Sequence, residues 1–153
     1  MKWNIMTFEQ LTTSELYALL KLRVDVFVVE QNCPYPELDG HDTHPQTRHL
    51  LGFEGSELVA YARVLPPGLN YETPSIGRVV TKASQRRLGT GHTVIVKAME
   101  TATQYWPSEA ISLAAQAYLK GFYESHGFRE VSDEYLEDGI PHIDMVRPAD
   151  SPD

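Results

Sequence analysis

Residues Gln85 to Thr93 read QRRLGTGHT, two guanidinium groups running into a Gly-Thr-Gly turn with a helix-like pattern behind it. Such a turn suits an anion. The first turn of a helix leaves N–H groups unpaired, and the helix dipole favours negative charge there. Gly89 and Gly91 lack a Cβ, so a bulky diphosphate could approach the backbone closely, and Arg86 and Arg87 could add charge-assisted hydrogen bonds at the rim. The plainer alternative is an ordinary turn carrying a solvated basic patch of Lys82, Arg86 and Arg87. Two familiar phosphate motifs fail. A P-loop needs Gly-Lys-Ser/Thr at the helix start, where this chain has Gly91-His92-Thr93, and a dinucleotide fingerprint needs a third glycine where Val94 stands. What remains is Arg/Gln-x-x-Gly-x-Gly/Ala, met by Arg86, Gly89 and Gly91.

The turn needs a strand before it and a helix after it, and the pattern supplies both. Ile76 to Thr81 reads as a strand. Val94, Ile95, Ala98, Met99 and Ala102 fall at helical spacing, and Trp106-Pro107 closes that segment. Upstream, Thr12 with Glu15 makes a capping box, and Leu16, Leu19, Leu20, Val24 and Phe27 continue as an apolar helical face. The stretch CPYPELDGHDTHPQT, Cys33 to Thr47, is too broken for a regular element and too long for an idle turn, which suits a functional loop. Strands are expected at His49–Phe53 and Leu58–Leu65 across the turn signal Glu54-Gly55-Ser56, then at Ile111–Ala115, Phe128–Val131 and His142–Val146. A short helix over Leu119–His126 would end on Gly127 as a left-handed cap. Helices interleaved with strands predict a mixed α/β (α+β) sheet protein.

The 153 residues suit one domain, over 1–148, with a frayed tail at 149–153. A net charge of −8 argues against a nucleic-acid or anionic-membrane surface, and no apolar run reaches the ~20 residues needed to span a bilayer. The start lacks the apolar core and cleavage site of a signal peptide, and the single cysteine, Cys33, fits a reducing compartment, so a cytoplasmic location is expected.

A second motif joins the first. FYESHGF places Tyr123, Gly127 and Phe128 in a Tyr-x-x-x-Gly-Phe pattern on the later helix. Together the two resemble the GNAT N-acetyltransferases, which bind acetyl-coenzyme A through an Arg/Gln-x-x-Gly-x-Gly/Ala turn. The segments LRVDVFVVEQNCPYPELDGHD, IGRVV and EYLEDGIPHIDM resemble one branch of that family, the ElaA-type acetyltransferases. This resemblance spans Leu22 to Met145. It implies a central, mostly antiparallel sheet flanked by helices, with acetyl-CoA as cosubstrate, no metal, and a homodimer as a reasonable assembly.

The resemblance also distributes roles. The strand residues Val79, Val80 and Thr81 would pair with the pantetheine arm, with the Val80 N–H on the acetyl carbonyl. Arg87, Leu88, Gly89, Thr90, Gly91 and His92 would hold the diphosphate, with Arg86 shaping or flanking the turn. Gln116 stands where many relatives carry asparagine. Tyr123 matches the tyrosine that protonates the leaving thiolate; its ordinary pKa of about 10 exceeds the thiol's roughly 8.5.

Direct attack also needs a neutral amine, and a lysine-like amine of pKa about 10.4 is neutral only about once in two thousand at pH 7. Ile111 occupies the position where some relatives carry a glutamate base. Glu30, His49 and His142 are the other candidates. The run Asp39, His41, Asp42, His44 could be read as a metal site or as loop capping, and no cysteine pair supports the metal. Glu134, Glu137 and Asp138 could steer a cationic amine or form a solvated face. Cys33 lies outside both motifs, which suits a buried or incidental thiol. The expected activity is acetyl transfer from acetyl-CoA to a small-molecule or peptide amine. The rivals are a non-catalytic coenzyme A sensor of the same fold and an enzyme using the turn for NAD or ATP.

Overall fold

The computed structural model describes residues 1–150, so residues 151–153 of the expected tail lie outside the described residues. Eight strands form one sheet in the order β1-β2-β3-β4-β5-β8-β6, with β7 pairing β8. They are β1 Lys2–Met6, β2 Arg48–Glu54, β3 Glu57–Leu65, β4 Ser75–Thr81, β5 Ile111–Gln116, β6 Arg129–Glu130, β7 Tyr135–Glu137 and β8 Ile140–Arg147. All pairings are antiparallel except β4 with β5. The helices are α1 Thr13–Val24, α2 Thr90–Tyr105 and α3 Lys120–Glu124.

The sheet divides the core. On one face, Ala60, Ala62, Val64, Leu113 and Met145 pack against Val94, Ile95, Ala98 and Ala102 of α2 and Tyr123 of α3. On the other, Leu51, Tyr61 and Val80 meet Leu19 and Leu22 of α1. Burying each such leucine stabilises by roughly 1.5–3 kcal/mol. Helix α1 starts where the capping box predicts: the Thr12 hydroxyl accepts from the Glu15 N–H at 3.0 Å, and Glu15 accepts from the Thr12 N–H at 2.8 Å. After Val24 it widens into a π-helical segment, Asp25–Glu30, where the Gln31 N–H reaches back to the Val26 carbonyl at 3.1 Å. That wider turn carries Phe27, Glu30 and Gln31 to the cleft described below.

The remaining departures are local. Strand β1 goes beyond the expected elements; it joins the sheet edge through Trp3, whose ring covers Gly52 of β2 so closely that a Cβ there would lie 2.6 Å from it. Strand β7 is also new, formed by an Asp138-Gly139 turn in which both residues adopt positive φ, 51° and 79°. The helix expected over Leu119–His126 is shorter, a 3-10 turn at Ala117–Leu119 followed by α3, and the strand expected at Phe128–Val131 shrinks to β6. Gly127 does take the left-handed conformation, φ 90°, and the Phe128 N–H closes onto the Tyr123 carbonyl at 3.2 Å.

Candidate active site

Strands β4 and β5 touch through one bridge, Ser75 with Ser112, supported by the Ser112 N–H donating to the Pro74 carbonyl at 3.0 Å. Beyond it they part. The cause is a bulge in β4. Tyr61 pairs with Val80 and Arg63 with Gly77, so Arg78 and Val79 together oppose Ala62. Arg78 takes φ 52°, a left-handed conformation uncommon for a residue with a side chain. The extra residue bends the end of β4 away from its neighbour. A cleft of about 720 Å³ opens between the strands.

The register decides which peptide groups face that cleft. The Lys82 N–H donates to the Val59 carbonyl at 2.7 Å, and the ladder continues as Thr81 opposite Ala60 and Val80 opposite Tyr61. Hydrogen-bonded and non-bonded pairs alternate along an antiparallel ladder. Val80 therefore turns its N–H and carbonyl toward β3, while Val79 and Thr81 turn theirs into the gap. The Arg86 guanidinium reaching the Thr81 carbonyl at 3.4 Å from the open side agrees. The expectation that the Val80 N–H polarises an acyl carbonyl is thus corrected: that N–H is occupied, and the Val80 side chain is buried against α1.

At the end of β4 the chain makes the basic turn. Arg87 and Gly89 adopt positive φ, 69° and 80°, and Gly89 caps α2. The Thr93 N–H donates to the Gly89 carbonyl at 3.3 Å, so those of Thr90, Gly91 and His92 precede the helical ladder and stay free of it. Thr90 is buried, its hydroxyl donating to Gln85 at 3.1 Å; Arg87, Leu88 and His92 are exposed. Arg86 is held by Glu30 in a two-pronged pair, 2.9 and 2.7 Å. This pairing weakens Glu30 as a base, because the guanidinium holds its carboxyl below the usual range.

The remaining candidates separate cleanly. His49 is fully buried and stands off the cleft. Its Nε2–H donates to the Asp42 carbonyl at 2.9 Å and its Nδ1 accepts from the Tyr61 hydroxyl at 2.6 Å, so both nitrogens are engaged. It is a structural histidine. His142 lines the cleft, opposite Gln116 at the end of β5 where the gap widens. Its Nδ1–H donates to the Ile140 carbonyl at 2.7 Å, which leaves the lone pair on Nε2, 3.7 Å from Glu137. Ile111 is buried at the far end of β5, opposite Arg147. Tyr123 also lines the cleft, and burial pushes its pKa up to about 12. Gln116 lines it as well, its amide donating to Gln31 at 3.2 Å.

Beside this chemistry stands a wall that is invisible in the motifs, of which Asp39, Arg63 and Arg78 border the cleft. Arg23 of α1, completely buried, donates to Glu37 and to Asp42, both at 2.7 Å. Arg63 of β3 holds Asp39 at 2.7 Å and Asp42 at 3.0 Å, and Arg78 joins Glu37 at 2.7 Å. Tyr35 also donates to Glu37. The loop of 33–47 is therefore pinned by three guanidiniums from three elements. Its two aspartates, Asp39 and Asp42, are taken up by arginine, which outweighs the opposing effect of burial and holds both carboxyls below their usual range, Asp39 well below. Among the described residues no group of three or more His, Cys, Asp or Glu is placed to hold a metal ion. His44 accepts from the Gln46 N–H at 3.1 Å, a loop cap.

Cys33 is buried, with its thiol 3.4 Å from the Asp138 carbonyl, and it borders the cleft. Of the acidic trio, Glu137 and Asp138 line the cleft with it. The motifs also missed Asp144 of β8, which accepts from the Tyr71 and Tyr135 hydroxyls at 2.9 and 2.7 Å. Tyr135 in turn stacks on His142, ring centroids 6.2 Å apart.

Known proteins resemble this chain in sequence and fold. Residues 23–148 match the acetyltransferase (GNAT) domain family. Protein ElaA of Escherichia coli is 47% identical over 146 residues, covering 95% of each chain. Its crystal structure superposes with a TM-score of 0.90 at 46% identity, over 95% of this chain and 98% of that one. The crystal structure of an acyl-CoA N-acyltransferase from Pseudomonas aeruginosa gives a TM-score of 0.91 at 44% identity, with the same coverage. No helix of the described residues is long and apolar enough to cross a membrane.

Proposed function

The chain belongs to the GNAT acetyltransferase family, and from that premise we propose that it transfers an acetyl group from acetyl-CoA to a primary amine by direct attack in a ternary complex. The observation that carries this reading is the gap beyond the Ser75–Ser112 bridge, where peptide groups of β4 and the Tyr123 hydroxyl meet one cleft. The cleft's size and its row of unpaired peptide groups suit an extended amide-bearing arm. Bound acetyl-CoA would supply the activated thioester carbonyl.

The protein's own part follows from its atoms. Thr81 offers an N–H and a carbonyl to pair with the arm, and the Val79 N–H, nearer the bulge, is placed to polarise the acyl oxygen as an oxyanion donor. The turn from Arg87 to His92 offers N–H groups and positive potential to a diphosphate. The Tyr123 hydroxyl, kept protonated by burial, donates its proton to the departing sulfur. His142 Nε2 accepts the proton of the incoming ammonium, its ring oriented by the Nδ1–H bond to the Ile140 carbonyl. Cys33 takes no covalent part. A single domain over 1–148, working in the cytoplasm, completes the reading.

The test is thiol release from acetyl-CoA measured against a panel of primary amines, beside calorimetric titration with coenzyme A and with NAD. Acetylated product with coenzyme A binding and no NAD binding is the expected outcome. Tight coenzyme A binding without turnover of any amine would favour the non-catalytic sensor, and NAD binding alone would sink both.

A further inference from the structure

His92, on the first turn of α2, reaches across to α3. Its Nδ1 lies 2.8 Å from Nε2 of His126, and the ring centroids are 5.0 Å apart. Phe122 packs against both rings, at 4.7 and 5.4 Å, and lies 3.8 Å from where a Cβ on Gly91 would stand. The imidazole pair is thereby fixed beside the free N–H groups of Thr90, Gly91 and His92.

An N···N contact of this length is a hydrogen bond only with one N–H and one lone pair. One proton therefore lies between the rings. In the neutral pair, the two outward nitrogens, His92 Nε2 and His126 Nδ1, share one further proton. Adding one more leaves the inner hydrogen bond intact, makes both outward nitrogens donors and gives the pair a single positive charge. The surrounding charges do not supply that proton's counterion. From β8, Arg147 donates its Nε–H to the His126 carbonyl at 3.2 Å, and its own partner is Asp150 at 3.4 Å. From the turn comes Arg87, and on α3 the nearest carboxylate in sequence, Glu124, is exposed. Burial and the neighbouring His92 both push the His126 imidazole below its ordinary pKa. A bound anion beside the pair would favour that extra proton.

We propose that the His92–His126 pair is a second contact for a phosphate group of coenzyme A and takes up one proton as that phosphate binds. The inference rests on the acyl-CoA reading above. Its test is calorimetric titration of the whole protein with coenzyme A between pH 8 and pH 6, in buffers of different ionisation enthalpy. Wild type should bind about a hundredfold more tightly at pH 6 than at pH 8, within reach of one charge-assisted hydrogen bond gained, and should take up close to one proton. His126→Gln should bind with the pH 8 affinity throughout, with the uptake lost. His126→Lys should restore tight binding without the pH dependence. If His126→Gln does not fold, His92→Gln breaks the same bond from the other helix.

Dephospho-coenzyme A identifies the phosphate: uptake retained assigns the diphosphate, and uptake lost assigns the 3′-phosphate. Equal pH slopes for wild type and His126→Gln overturn the proposal while leaving the acyl-CoA reading intact. Failure of wild type to bind coenzyme A at any pH overturns that reading itself.

Discussion

Beside the cleft stands a wall of three arginines and three carboxylates that neutralise one another, with Arg23 of α1 behind and Asp39, Arg63 and Arg78 on the cleft side, each guanidinium anchoring the 33–47 loop to a different element. Along the β4–α2 wall, the working groups are free peptide N–H groups, the Tyr123 hydroxyl and the imidazoles of His92 and His126, none of them tied to an opposite charge among the described residues. The first wall is held firm because four of its charges, Arg23, Arg63, Glu37 and Asp42, are buried and can leave only at high cost. The second is responsive because its donors await an anion. A buried ion pair is a poor source of net stability, but breaking one is expensive. The first wall is therefore best understood as a fixed frame, and the other as the part that recognises a ligand.

The sharpest way to break that contrast is to remove one arginine. Arg23→Ala takes the fully buried guanidinium from Glu37 and Asp42, leaving them Arg78 and Arg63, and we expect a loss of roughly 3 kcal/mol, visible as a lowered midpoint in urea unfolding. Acid should expose the same wall. Asp39 and Asp42 have folded-state pKa values below their unfolded ones, so their contribution is fully present above the ordinary carboxylate pKa of about 4 and is lost as pH falls through the depressed values. Stability measured downward from pH 5 should fall in wild type. Replacing both aspartates with asparagine should flatten that slope.

This wall also shows where sequence reading stops. Arg23 falls within an amphipathic helix and looks like any polar face residue, yet its partners lie 14 and 19 residues away across an irregular loop whose path no periodicity predicts. His49 was a candidate base on residue type alone; only the fold shows both its nitrogens engaged. By contrast the capping box of α1, the strand-turn-helix at Val79–His92 and the Gly127 cap were readable because each is local, set by neighbours within a few residues. Strand β1 escaped because Trp3 and Ile5 give barely one alternation, and its partner surface depends on Gly52 being bare. The Asp138-Gly139 pair was an available hairpin signal for β7. The Val80 assignment failed on parity: a motif places three residues on a strand, but only the ladder shows which of them turn outward.

On the responsive wall the expected effects are smaller in stability and larger in function. Tyr123→Phe should lower kcat by about a hundredfold, at the lower end for losing a general acid, with little change in coenzyme A affinity. On β8, His142→Gln should lower kcat by at least tenfold, whereas Glu30→Gln should leave it within about twofold. Gly89→Asp places a carboxylate and an unfavourable positive φ, 80°, at the turn; coenzyme A affinity should drop by at least about tenfold while the unfolding midpoint moves modestly. Cys33→Ser should leave turnover within about twofold, and a collapse there would contradict direct attack.

The central claim is that β4 offers the peptide groups of Val79 and Thr81, not Val80, to an acyl-CoA. Residue-resolved amide hydrogen exchange, with and without coenzyme A, tests it most directly. In the free protein the Val80 amide should exchange slowly and those of Val79 and Thr81 quickly. Saturating coenzyme A should slow Thr81 markedly, acetyl-CoA should slow Val79 further, and Val80 should not change. Fast exchange at Val80 that coenzyme A slows, with Val79 and Thr81 unmoved, would contradict the account.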